Sequence, residues 1–183
     1  PSACFRVECF VDYLKVLEIL TGITGDAEAY IREGVEQKEK IDALLARTAL
    51  YSGPAPEYLF LRAGTSAAST KVKTAEDNFV CAMLDQLGAV NIAGTQSLTG
   101  TLSTEQILLR DPDRIFLSLM GKEDAATAWT EEMLAQDGWK ELSAVQNGRY
   151  TYLPKELFHF KPNHRWYEAY EILAELLYPQ LWE

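Results

Sequence analysis

Apolar and polar positions along the chain change period several times, and each change marks an element. Residues 5–11 alternate, with Phe5, Val7, Cys9 and Val11 on one side, which predicts a short strand. Residues 12–20 then read as a short helix closed by Gly22. Thr24-Gly25-Asp26 offers an N-cap to a long helix over 27–47, whose stripe holds Tyr30, Ile31, Val35, Ile41, Leu44 and Leu45. Its other face carries Glu28, Arg32, Glu33, Glu36, Lys40 and Asp42, an ordinary solvated surface. Ser52-Gly53-Pro54-Ala55-Pro56 is the clearest break in the chain.

Beyond that break, strands and helices alternate. Tyr58–Ala63 is a nearly continuous apolar strand, the pattern of a strand covered by helices on both faces. A polar loop over 64–74 leads to a helix over 75–87, stopped by Gly88. Residues 89–92 are a second short strand. Ser103, Thr104, Glu105 and Gln106 form a capping-box pattern opening a helix to Arg110. Residues 114–120 make a third strand, 123–135 a helix and 149–153 a fourth strand. Trp166, Ala169, Tyr170, Leu173, Leu176 and Leu177 mark a last helix, ended by Pro179. The expected fold is α/β: a parallel sheet of four strands, or five, with helices on both faces, preceded by a long helix. Two regions follow, 1–52 and 53–183. Right-handed crossovers put the loops after the strands on one edge, where ligands of such sheets bind. Those loops are 64–74, 93–102, 120–123 and 154–163.

The composition narrows the chemistry. At 183 residues the chain is long enough for one core, and 48% apolar with 24% charged residues is ordinary globular usage. Asp and Glu number 27 against 17 Lys and Arg, a net charge of −10. Such a field repels phosphate backbones and anionic lipid, so no nucleic-acid partner is expected. Cys4, Cys9 and Cys81 are too few and too irregular for a disulfide framework or a zinc site. No dinucleotide or phosphate loop follows a strand, and no G-x-S-x-G elbow is present, so no catalytic residue is assigned.

His159 and His164, the only histidines, lie in the last edge loop, without a third residue at ligand-like spacing; no protein-bound metal is expected. Lys71, Lys73, Lys155 and Lys161 fall in the same set of loops, near Tyr152, Phe158 and Phe160. Cations among aromatics suit an anionic, partly apolar ligand. Lys71, Lys73, Phe158, His159 and Lys161 are therefore the candidate ligand-binding residues.

Several longer stretches are more specific than composition. Asn78-Phe79 and Met83–Ala93, then Leu102–Leu108, then Asp111–Ile115, then Trp139 with Leu142–Tyr150 and Leu153-Pro154, follow one another in fixed order. Together they resemble the C-terminal lobe of the substrate-binding proteins of ABC importers for iron-siderophore, haem and cobalamin. Residues 12–47 are similar to that family's inter-lobe segment, with its long helix. The resemblance implies a non-enzymatic receptor that binds a transported iron complex (ferric siderophore, haem or corrinoid) and has no intrinsic cofactor. It implies delivery to an ABC permease and its ATPase, at the periplasmic or extracellular face of the membrane, with a lipid anchor on the full-length protein. It assigns Glu105, the glutamate of an L-S-x-E motif, to docking on the permease. The start at Pro1-Ser2 and the short segment before residue 12 read as a fragment, or a natural half-receptor, with residues 1–52 a remnant of the N-terminal lobe and connector. An isolated half would bind weakly and expose apolar surface, a reason to expect a dimer. The competing reading is an α/β enzyme or metallocluster-handling protein of nitrogenase-like architecture, which needs cysteine ligands at the sheet edge; Cys81, inside a helix, disfavours it.

Overall fold

A computed structural model describes residues 7–94 and 104–182. It divides into two compact units, residues 53–160 and, separately, residues 1–52 together with 161–183. The break at 52/53 coincides with the Gly-Pro segment. The second unit, however, closes at Phe160 rather than running to residue 183, because the last helix joins the first unit.

In that first unit, α1 (Phe10–Thr24) and α2 (Ala27–Thr48) pack against each other and α8 (Trp166–Leu177) packs on α2. The strand expected over 5–11 does not form in its described part: Val7–Cys9 are irregular and the helix begins at Phe10. The reason lies in spacing and capping. Phe10, Tyr13 and Leu17 recur at helical intervals and are buried, while Val11, part of the alternation, is exposed. Asp12 in the first turn accepts a hydrogen bond from the Glu8 amide at 3.1 Å, holding the helix entry. The helix also passes Gly22 and ends at Gly25, whose positive φ of 72° lets its N–H reach the Thr21 carbonyl at 2.9 Å. At Gly34 a Cβ would lie 2.9 Å from Leu14 Cδ2, so α2 approaches α1 closely here and a larger residue would have to displace the leucine methyl groups. Gln37 is buried and accepts a hydrogen bond from the Tyr167 amide at the start of α8. Arg47 stacks on Trp182, 4.3 Å from the ring centroid, and donates to the Leu181 carbonyl.

The second unit is built on a sheet of five strands: β1 (Glu57–Ala63), β2 (Lys71–Val72), β3 (Val90–Asn91), β4 (Arg114–Leu119) and β5 (Tyr150–Tyr152). β1 is central. β4 runs parallel to it from Tyr58↔Arg114 to Ala63↔Leu119, and β5 runs parallel to β4. On the other side, β3 pairs parallel with the start of β1 and β2 pairs antiparallel with its end. The four parallel strands are those expected from the sequence. The fifth comes from the loop over 64–74, which turns back as β2. Gly64 makes that turn: an added Cβ would sit 2.2 Å from Ser69 Oγ.

Leu59, Leu61, Ala63, Ile115 and Leu117 form one face and meet Ile107 of α4 (Thr104–Arg110), Met133 and Leu134 of α5 (Glu123–Leu134), and Ala144 of α6 (Ser143–Gln146). The opposite face carries Tyr58 and Phe116, packed edge to face. There the Tyr58 hydroxyl donates to Asp85 Oδ1 at 2.8 Å on α3 (Phe79–Gln86). α3 is shorter than the helix expected over 75–87, because Asn78 caps it by accepting from the Val80 amide. A short α7 (Lys155–Phe158) follows β5, inside what reads as a loop in the sequence.

Candidate functional site

The carboxyl ends of β1, β4 and β5 lie side by side, so the residues just beyond them meet. Arg62 is the penultimate residue of β1, and its Nε donates to the sulfur of Met120, the first residue after β4, at 2.8 Å. β5 leads through Leu153-Pro154 into α7. Lys155, at the start of that helix, donates from Nζ to the Gly121 carbonyl at 3.2 Å and pairs with Glu123 at 3.0 Å. His159 follows the last turn of α7, its ring 4.8 Å from that of Phe160 and nearly perpendicular to it. Phe160 is 65% exposed, unusual for so large an apolar ring.

His159 is held below its ordinary pKa of 6.5, first by burial and then by the positive charges of Arg62 and Lys155. It is thereby biased toward neutral imidazole, with a ring nitrogen available as an acceptor or a ligand atom. On the other side of Arg62, Lys71 is its cross-strand partner on β2 and is exposed. Cross-strand partners share a face, so Lys71 extends the cationic row. Arg62, Lys155, Lys71 and His159 beside an exposed aromatic ring can receive a carboxylate- or catecholate-bearing ligand with an apolar body.

Not every candidate from the sequence reaches this edge. Lys73 lies further back along β1, its amide bonded to the Phe60 carbonyl and its Nζ paired with Asp77 at 2.6 Å. Phe158 is buried, at 1% exposure, and serves the core. Lys161 falls in the other compact unit, where it pairs with Glu8 at 3.1 Å. His164 is in that unit too, in a short 3-10 turn. Sequence reasoning passed over Arg62, which sits within an otherwise apolar strand. Its signal was a charge at the end of a buried parallel strand, where a side chain reaches the ligand edge.

The polar loop after β1 is occupied with itself. Ser66 and Ser69 cap each other, and Thr70 Oγ1 accepts from the Gly64 amide at 3.1 Å. The loop expected after β3 over 93–102 lies mostly outside the described residues, as do Leu102 and Ser103 of the L-S-x-E motif. Glu105 itself is exposed in the first turn of α4. Cys81 is buried in α3, and burial pushes its thiol well above its usual range. Among the described residues, no three of His, Cys, Asp and Glu converge as metal ligands.

One compact unit is thus an α/β sheet with cations gathered at its carboxyl edge, and the other is helical. The chain belongs to the periplasmic binding protein family, whose model matches residues 26–157. Solved structures agree on the fold. One is the TroA-like periplasmic binding protein FepB from Veillonella parvula, with 17% identity and a TM-score of 0.78, covering 98% of this chain and 55% of that one. IsdE of S. aureus, solved with heme, gives 16% identity and a TM-score of 0.78 over 95% of this chain and 67% of its own. RhuT, a periplasmic heme-binding protein from Roseiflexus sp. RS-1, gives 17% identity and 0.77 over 95% and 65%. The chain thus spans between about half and two thirds of the length of these proteins. No curated protein matches the sequence.

Proposed function

We propose that this chain is the C-terminal lobe of the substrate-binding component of an ABC importer, carrying an iron complex such as a ferric siderophore or haem to a membrane permease. The observation that carries this reading is the cluster of Arg62, Lys155 and His159 beside exposed Phe160 at the carboxyl edge of the sheet. The family match supports the binding role, and two of the similar structures are described as heme-binding or heme-bound proteins. Lys71 extends the proposed ligand contact. Lys73 is left out of it because it lies further back along β1, Phe158 because it is buried, and Lys161 because it belongs to the other compact unit.

In this reading the complex lies between this lobe and an N-terminal one, and residues 1–52 are the connector and a remnant of that partner. The full-length protein works at the periplasmic or extracellular face, held by a lipid anchor. No helix among the described residues is long and apolar enough to cross a membrane.

Titration with haem, ferric siderophores and corrinoids tests the proposal through their absorbance bands. A band shift is expected with at least one of them, weak for this chain alone because half a cleft buries only part of a ligand. A panel that leaves both this chain and its longer form unperturbed overturns the assignment.

A further inference from the structure

At the opposite, amino-terminal end of the sheet, Arg114 opens β4 and Arg149 immediately precedes β5. The parallel register Ile115↔Tyr150 sets the two arginines side by side, and the Ile115 amide donates to the Arg149 carbonyl at 3.0 Å. By alternation both side chains fall on the Phe116 face of the sheet. The two guanidiniums sense each other: burial first, then the charge of Arg149, lowers the pKa of Arg114.

Of the nearby acidic residues, Asp113 acts on Arg114 through space and accepts from the Glu57 amide at 2.8 Å. Arg149 Nε is buried without a hydrogen-bond partner. Lys73, Lys155, Lys161 and Arg165, by contrast, all sit in ion pairs. Two adjacent half-buried guanidiniums, one with a buried Nε that has no partner and Arg114 under the through-space charge of Asp113, retain donors to offer an anion.

We propose that Arg114 and Arg149 form an oxyanion site for a phosphate-class dianion, separate from the ligand edge and independent of the transport reading. A doubly charged tetrahedral anion can accept from both planar forks at once, which a single carboxylate does less completely. The free ion is the favoured source of that phosphate, because the negative charge of the whole chain opposes approach to an anionic bilayer.

The test follows the arginine Nε–Hε NMR resonances of the whole chain during titration with inorganic phosphate, ionic strength being held constant with sodium chloride. A saturable shift of the Arg149 and Arg114 signals is expected. Arg114→Met and Arg149→Met should each weaken the apparent affinity about tenfold or more, the loss of charge-assisted hydrogen bonds. If Arg149→Met does not fold, Arg114→Met and the unaltered chain carry the test. A shift that chloride reproduces, or an Arg114→Met protein that titrates like its parent, overturns the site. Phosphatidic acid vesicles probe the other source of phosphate, and no co-sedimentation is expected. Vesicle binding without any response to inorganic phosphate overturns the small-ion assignment.

Discussion

His159 shows how one residue draws its chemistry from its neighbours. Its folded pKa lies below 6.5 through burial and the nearby charges of Arg62 and Lys155. Below 6.5 the unfolded chain therefore binds more protons at this position than the native one. Stability from this group is complete above 6.5 and is lost as pH falls through the lowered native value. Arg62→Met removes one cation, so the His159 titration, followed by NMR of its ring protons, should move back up toward 6.5 and the acid-side slope of stability should become shallower. An unchanged titration in that variant would separate Arg62 from the site. Arg62 itself is fixed at two levels, by its place near the end of β1 and by its bond to Met120 sulfur. Its place near the end of a parallel strand was legible in the sequence, whereas its bond to Met120, fifty-eight positions later, needs the packed strands.

Turns do most of the work of setting the elements in register. Asp111 adopts a positive φ of 42° after α4, a region in which Asp and Asn are better tolerated than most residues. From there its carboxylate holds the first amide and hydroxyl of α6, thirty-two positions later. Asp113, two residues on, fixes the first residue of β1 in the same manner. The Asp-Pro-Asp turn thereby ties α6 and β1 to the entry of β4. Replacing Asp111 with alanine loses a capping interaction and places a less suitable residue at positive φ, a cost of about 1–2 kcal/mol. Urea denaturation should show that loss as a lower midpoint, and Asp111→Asn should recover part of it because it keeps one acceptor and tolerates the backbone. The same local accounting explains two of the places where the elements differ from expectation. Asp12 and the buried Phe10, Tyr13 and Leu17 override a three-step alternation, and Asn78 starts α3 later than apolar periodicity alone does.

For the whole molecule, the proposed role as half of a receptor makes two expectations. Glu105 is exposed on α4, away from the Arg62–His159 cluster in sequence, and the proposed permease contact rests on it. Glu105→Ala should leave ligand affinity nearly unchanged while lowering uptake with the cognate permease, as measured with radiolabelled iron complex; unchanged uptake removes the docking role. Val11, Ile19, Ile23, Ile31 and Val35 are all exposed on α1 and α2, so the isolated chain should self-associate with rising concentration in sedimentation velocity. A single monomer boundary throughout argues against the proposed dimer. By itself, the sequence determined the α/β class, the four parallel strands, the long helix and the edge on which the loops after β1, β4 and β5 meet. Those follow from local periodicity and from the handedness of crossovers, which need no knowledge of distant contacts. Only the tertiary structure decided that β2 doubles back along β1, that α8 joins the helices of the first unit, and which cations remain at the ligand edge. Each of these depends on partners far apart in the chain. Lys73 sits further back along β1 and pairs with Asp77, Lys161 belongs to the other unit and pairs with Glu8, the core takes Phe158, Lys155 pairs with Glu123 at the edge itself, and packing along β1 and β4 brings Arg62 to Met120.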